Sequence, residues 1–169
     1  MTRIGLLSDT HGWFDERYLT HFADCDEIWH CGDIGSDEVA RRLSEFKPFR
    51  AVHGNIDGGF VRYAYPEFLA FRCESVDVLM THIGGYPGKY SPQAYRHILS
   101  DKPKLFVCGH SHILKVQYDK LHDMLTMNPG AAGIYGFHQV RTLLRFEIDG
   151  TDIRHLEVIE MPKHTTADV

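Results

Sequence analysis

Short apolar runs punctuate the first two thirds of the chain. Ile4-Gly5-Leu6-Leu7, Glu27-Ile28-Trp29-His30-Cys31, Phe49-Arg50-Ala51-Val52 and Leu105-Phe106-Val107-Cys108 are nearly continuous rather than alternating. Runs this short and this apolar suit strands covered on both faces. Amphipathic stretches separate them. Ser36 is placed to cap a helix that carries Asp37 and Glu38 in its first turn, buries Val39, Leu43 and Phe46, and stops at Pro48. Ser91-Pro92 sets a cap before a proline at the first helical position, and Ala94, Tyr95, Ile98 and Leu99 form a stripe that ends before Pro103. A shorter helix is expected over 15–22. Residues 68–81 read as a hairpin, Leu69–Phe71 with Val76–Leu79, turning at Glu74-Ser75. Beyond residue 112 the pattern changes to hairpins, Leu114–Tyr118 with Leu121–Met127, then Val140–Ile148 with Ile153–Ile159 around Asp149-Gly150. Strand–helix alternation followed by a β-rich half predicts a layered α/β sandwich.

Composition narrows this only a little. The 169 residues suit one domain, read as 1–160 with a polar tail over 161–169, and 43% hydrophobic with 24% charged residues is ordinary for a globular chain. No run approaches 18 apolar residues, and the N-terminus lacks the apolar stretch of a signal peptide, so a cytoplasmic protein without a membrane span is expected. A net charge of −5 gives no reason to expect non-specific nucleic-acid binding. Cys25, Cys31, Cys73 and Cys108 form no CxxC pair and are read as free thiols. The unusual figure is twelve histidines, several of them clustered where strands end.

Each apolar run leads into metal-type side chains. Ile4–Leu7 precedes Asp9-Thr10-His11, Ile28–Cys31 precedes Gly32-Asp33, Ala51–Val52 precedes His53-Gly54-Asn55, Val76–Met80 precedes Thr81-His82, and Leu105–Cys108 precedes Gly109-His110-Ser111-His112. Ligands of open α/β sheets bind at the carboxyl ends of strands. The candidate metal ligands are therefore Asp9, His11, Asp33, Asn55, His82, His110 and His112. Three oxygens and four imidazoles without a thiolate suit manganese first, with iron, nickel or zinc as alternatives. Seven ligands exceed one tetrahedral ion but suit two that share a carboxylate, the usual device for displacement at phosphorus. Glycines before Asp33, Asn55 and His110 are expected to let the backbone turn tightly.

These five blocks, in this order, resemble those of calcineurin-like metallophosphoesterases, and the short length with Asn128-Pro129-Gly130 is most similar to the compact phosphodiesterase branch of that superfamily. The resemblance implies two mixed β-sheets flanked by helices. It implies that Asp9, His11 and His112 bind one metal, that Asn55, His82 and His110 bind the other, and that Asp33 bridges them, with Asp33, Asn55 and His110 as the catalytic set. It further implies a phosphodiesterase acting on a small phosphodiester through a hydroxide held between two divalent transition-metal ions. A protein-binding scaffold on the same fold and a phosphomonoesterase are the alternatives, and a homo-oligomer is left open. The chain departs from the wider family at Ile56, where a catalytic histidine is common, and at Ile83, where many compact members have glycine.

The other histidines divide. His30, inside an apolar run, is read as a buried, hydrogen-bonded imidazole. His53 and His138 are candidates for the pocket wall and for an alternative proton donor. His21, His97, His122, His155 and His164 are read as surface residues, and Arg141 and Lys89 as solvated charges rather than phosphate ligands. Asp57 is expected to be ionised.

Overall fold

The computed structural model describes residues 1–163. It contains strands β1 (Thr2–Leu7), β2 (Glu27–His30), β3 (Phe49–Ala51), β4 (Phe68–Cys73), β5 (Val76–Thr81), β6 (Leu105–Val107), β7 (Leu114–Asp119), β8 (Met124–Pro129), β9 (Val140–Asp149) and β10 (Asp152–Pro162). The helices are α1 (Glu16–His21), α2 (Asp37–Phe46), α3 (Gly59–Ala64) and α4 (Pro92–Asp101). Two five-stranded sheets form, in the orders β10-β9-β1-β2-β3 and β4-β5-β6-β8-β7. Both are mixed. β1, β2 and β3 run parallel in the first, β5, β6 and β8 in the second, and hairpin partners close the sheets antiparallel.

Period-2 alternation explains why these strands read as continuous apolar runs. Ile4, Leu6 and Trp29 of the first sheet meet Val78, Met80, Leu105 and Val107 of the second in the central core. The intervening residues point the other way: Leu7 and Ile28 meet Tyr18, Val39 and Leu43 under α1 and α2, while Leu79 and Phe106 meet Ala94 and Ile98 under α4. The result is two packed sheets with helices on both outer faces.

Local signals set the helix ends. Ser36 Oγ accepts from Val39 N–H, Ser91 Oγ from Ala94 N–H, and left-handed Lys102 ends α4 before Pro103. Two expectations change. Leu99 is exposed, so the buried stripe of α4 is Ala94 and Ile98. Met161, read as the first residue of a polar tail, is buried within β10; residues 164–169, including His164, lie outside the described residues. The short helix α3 has no counterpart in the sequence reading, for a six-residue segment opened by Gly58-Gly59 carries too little periodicity. All four cysteines are buried and free. Among the described residues no helix is long and apolar enough to cross a membrane.

Arg141 overturns its reading as a solvated charge. It is fully buried at the start of β9, donating from Nε to the Ala132 carbonyl (2.7 Å), from one terminal nitrogen to Asp15 Oδ2 (3.0 Å) and from the other to the Tyr18 hydroxyl (3.1 Å). A long side chain beneath α1 buries its stem and pairs its head. Removing one partner of such a pair strands the other, so Arg141→Met should destabilise the fold by about 3 kcal/mol in denaturant titrations. Burial pushes the Asp15 carboxyl up, but Arg17 and Arg141 outweigh it and hold it at about 2. The stability this linkage supplies is complete above the unfolded carboxylate value of about 3.9 and is lost as pH falls through the folded value. Acid unfolding of Arg141→Met should therefore show a shallower loss over that window than the parent.

Candidate metal centre

The carboxyl ends of the parallel strands from both sheets meet at one rim. The first sheet brings Asp9 and His11 from the loop after β1, Asp33 from the loop after β2 and Asn55 from the loop after β3. The second brings His82 directly after β5, and His110 and His112 after β6. The loops remain stitched beyond the strands: Asp9 N–H donates to the Gly32 carbonyl, His11 N–H to the Asp33 carbonyl and Gly109 N–H to the His82 carbonyl, each at 3.0 Å.

Backbone conformation marks the same residues. Asp9, His11, Asp33, His110 and His112 all have positive φ, between 47° and 73°. Side chains other than glycine rarely sit there, and such strain collects at functional sites. Here it falls in the loops after β1, β2 and β6, two to five residues past each strand end. The preceding glycines act differently from expectation. Only Gly32 takes a left-handed φ; Gly54 is required because a Cβ would overlap the Asp33 carboxylate, and Gly109 because a Cβ would overlap the Ser8 hydroxyl.

Two clusters of potential ligand atoms result, Asp9–His11–His112 and Asp33–His82–His110, with the donor atoms in each within 4.8 Å of one another. In the first, Asp9 Oδ1 lies 3.2 Å from His112 Nε2 and 3.7 Å from His11 Nε2. In the second, Asp33 Oδ2 lies 3.1 Å from His82 Nε2, and the same oxygen is 3.4 Å from His11 Nε2. Asp33 therefore stands between the clusters. Asn55 Oδ1 is 3.0 Å from His110 Nδ1, a separation that suits two donors at about 2.1 Å from one ion.

Neighbouring groups aim these atoms. Ser8 Oγ–H (2.6 Å) and His110 N–H (3.1 Å) both donate to Asp9 Oδ2, leaving Oδ1 free. Ile56 N–H donates to Asp33 Oδ1, leaving Oδ2 free. His82 Nδ1–H donates to the Cys31 carbonyl (2.7 Å), which leaves Nε2 as a lone-pair donor. Asp9 Oδ1, His11 Nε2 and His82 Nε2 are buried without any hydrogen-bond partner. Orphaned buried acceptors cost about 1–3 kcal/mol each. Several orphans converging on shared points, drawn from carboxylate and imidazole, fit divalent cations.

Electrostatics point the same way. Burial pushes the Asp9 carboxyl up, but the imidazoles of His11 and His112 outweigh it and hold Asp9 well below the usual carboxylate range. Asp33 is likewise raised by burial and lowered further by His82. Burial alone would lower His82, yet the Asp33 and Asp9 carboxylates raise it. His110 is lowered, first by burial and then by repulsion from His82.

Several supporting residues had no role in the sequence reading. Asp57 is buried, and its carboxylate accepts from Ile34, Gly35 and Gly54 N–H, bracing the Asp33 loop against the Asn55 loop. Asn128 donates to the Gly109 carbonyl and Ser111 Oγ, fixing the His110–His112 loop. His30 is buried as expected: Gly32 N–H donates to its Nδ1, and its Nε2 lies 3.0 Å from Thr10 Oγ1, whose hydroxyl donates to the Ile34 carbonyl. That arrangement fixes one neutral tautomer, and burial lowers its pKa to about 4. Proximity to a ligand in sequence was the available signal for Asp57 and Ser8, and the Asn128-Pro129-Gly130 run for Asn128.

Three further histidines are engaged. His53 Nδ1 is 2.7 Å from the Tyr65 carbonyl and its Nε2 accepts from Arg62. His138 Nε2 is 2.8 Å from the Gly133 carbonyl. His122 departs from its surface reading, lying 2.8 Å from Asp119 Oδ2 and 3.2 Å from the Tyr95 hydroxyl. Two cavities flank the cluster, one of about 510 Å³ beside Asn55 and His82 and one of about 480 Å³ beside His110, with Tyr86, Lys89 and Lys115 in its wall.

Known proteins share the family and the fold of this chain. The family model for the calcineurin-like phosphoesterase superfamily domain matches residues 2–151. A probable metallophosphoesterase of Methanothermobacter thermautotrophicus is 30% identical over 134 residues, covering 76% of each chain. Among solved structures, an archaeal phosphodiesterase superposes with a TM-score of 0.74 at 21% identity, over 94% of this chain and 99% of that one. Vps29 of Chaetomium thermophilum superposes with a TM-score of 0.76 at 12% identity, over 95% and 97%. With its blocks in order along the strand ends and the family model matched over nearly its whole length, the chain belongs to the calcineurin-like phosphoesterase superfamily.

Proposed function

We propose that this chain is a divalent-metal-dependent phosphodiesterase with a two-ion centre. Asp9, His11 and His112 would hold one ion, Asn55, His82 and His110 the other, and Asp33 both. The observation that carries this reading is the placement of Asp33 Oδ2 within 3.4 Å of His11 Nε2 and 3.1 Å of His82 Nε2, beside the orphaned Asp9 Oδ1. Two ions there supply Lewis acidity toward a phosphoryl oxygen and make water acidic enough to act as a nucleophile near neutral pH. The chain's own groups do the positioning. Asp9 and His82 are buried and rigidly aimed, whereas Asn55 and His110 are exposed at the mouth, where a phosphate ester first arrives. Ile56, half exposed and next to Asn55 in the chain, offers no proton to a departing oxygen.

The mixed nitrogen and oxygen set favours manganese. Protein stripped with chelator and reconstituted with excess Mn²⁺ should hold close to two ions per chain and should cleave bis(p-nitrophenyl) phosphate. A single tight site would overturn the two-ion centre. Two ions without turnover would instead favour a scaffold, a role compatible with the fold shared with Vps29. Ligating imidazoles must be neutral, so protons compete with the ions. Because His82 is raised by its carboxylate neighbours when no ion is bound, the apparent Mn²⁺ affinity should begin to fall above the ordinary histidine value of about 6.5 as pH is lowered.

A further inference from the structure

Nine of the eleven arginines are paired with a carboxylate: Arg3, Arg17, Arg41, Arg42, Arg50, Arg72, Arg141, Arg145 and Arg154. Arg62 and Arg96 are the exceptions among the described residues. Both line the same cavity of about 510 Å³, the one whose wall also includes Asn55 and His82. A chain that pairs its other arginines and leaves these two facing one cavity at the metal edge has concentrated positive charge there.

Arg62 is held in place without being neutralised. Its Nε–H donates to the Asp57 carbonyl (2.8 Å), and its two terminal nitrogens donate to the Gly54 carbonyl and His53 Nε2 (3.3 Å each). All three acceptors are uncharged. A guanidinium has five N–H donors, so two remain, on a group oriented in advance. Arg96 reaches the cavity from α4, whose first turn, Pro92 and Gln93, forms part of the same wall. The start of a ten-residue helix adds partial positive charge to that of the arginines. Glu67 is the acidic side chain of this wall and makes no ion pair with either arginine, so the two guanidinium groups outnumber it.

We infer that this cavity is a second anion subsite, and that the natural substrate is a phosphodiester carrying a further phosphate group on one of its arms. The inference rests on the phosphodiesterase reading, since it places the scissile phosphorus at the Asp33 centre. Arginine pairs recognise phosphate through parallel N–H···O bonds that a lysine cannot reproduce. The volume suffices for an arm of several heavy atoms between the two phosphates.

The probes are α,ω-alkane bisphosphonates two to four carbons long, titrated calorimetrically against propylphosphonate into Mn²⁺-loaded protein. The best bisphosphonate should bind the parent at least about tenfold more tightly than propylphosphonate, the worth of one or two charge-assisted bonds. In Arg96→Gln that preference should fall to within about threefold, and in Glu67→Gln it should rise, because a repelling carboxylate is gone. Arg96 makes no ion pair, and its side chain is exposed, so its loss leaves the fold intact. An equal preference in the parent and in Arg96→Gln would overturn the subsite, since chelation of the ions by a second phosphonate acts on both alike. Turnover of bis(p-nitrophenyl) phosphate is read separately. Turnover without the preference sinks the subsite alone, whereas the preference without turnover sinks the phosphodiesterase reading and the phosphodiester substrate with it, leaving only the anion subsite.

Discussion

Asp33→Ala should lower turnover of bis(p-nitrophenyl) phosphate by about 10³-fold or more, the largest loss expected of any single substitution in the cluster. Lewis-acid stabilisation at phosphorus is worth several kcal/mol, and about 1.4 kcal/mol corresponds to tenfold in rate. Asp33 Oδ2 is the oxygen close to both imidazole sets, so its removal loosens both ions, and the Ile56 N–H donor that orients the carboxylate loses its partner as well. His82→Ala should act on one ion only. Metal analysis should then find nearly one Mn²⁺ retained in His82→Ala and well under one in Asp33→Ala. Near-normal turnover in Asp33→Ala would remove this residue from the centre and with it the bridged arrangement.

The second large effect concerns the departing group. Aryl diesters should be cleaved orders of magnitude faster than alkyl diesters, with a steep dependence on leaving-group pKa at fixed pH. General acid assistance is typically worth about 10²–10⁴ in rate, and this site lacks an evident donor. Ile56, half exposed next to Asn55 in the chain, has no proton to give. His53 is spent on the Tyr65 carbonyl and Arg62, and His138 holds the Gly133 carbonyl. Asp57 is buried and its carboxylate accepts three backbone N–H groups. A flat dependence across aryl and alkyl diesters would reveal an acid among these residues. Ile56→His should help alkyl diesters selectively, because an imidazole at a half-exposed position can reach solvent and substrate together.

Much of the architecture was legible along the chain. Runs such as Leu105–Cys108 are apolar at every position because both faces of the sheet are covered, so the strand reports its burial directly. The caps at Ser36 and Ser91 are local, depend on one side chain and the next turn, and appear where the residues put them. The five blocks of metal-type residues were equally visible, since chemistry of this kind requires particular donors and strand ends are marked by the runs before them.

Pairing across long separations was not legible, for sequence patterns report burial and turn chemistry but not which partner fills the space. Arg141 illustrates the limit: its charge alone suggests solvent, and only the packing of β9 beneath α1 brings Asp15 and Tyr18 to it. Asp57 acts as a brace only because the loops after β2 and β3 lie side by side. The sequence by itself determined the two-sided strands, the capped helices and the donor set of the candidate centre. The tertiary structure alone decided that the two face-packed sheets bring the carboxyl ends of their parallel strands to one rim, that one oxygen of Asp33 stands between both clusters, and that the two arginines without a carboxylate partner share a cavity beside it. The physical reason is one of range: capping and alternation act within a few residues, whereas charge pairing and donor convergence depend on distances that only the packed sheets define.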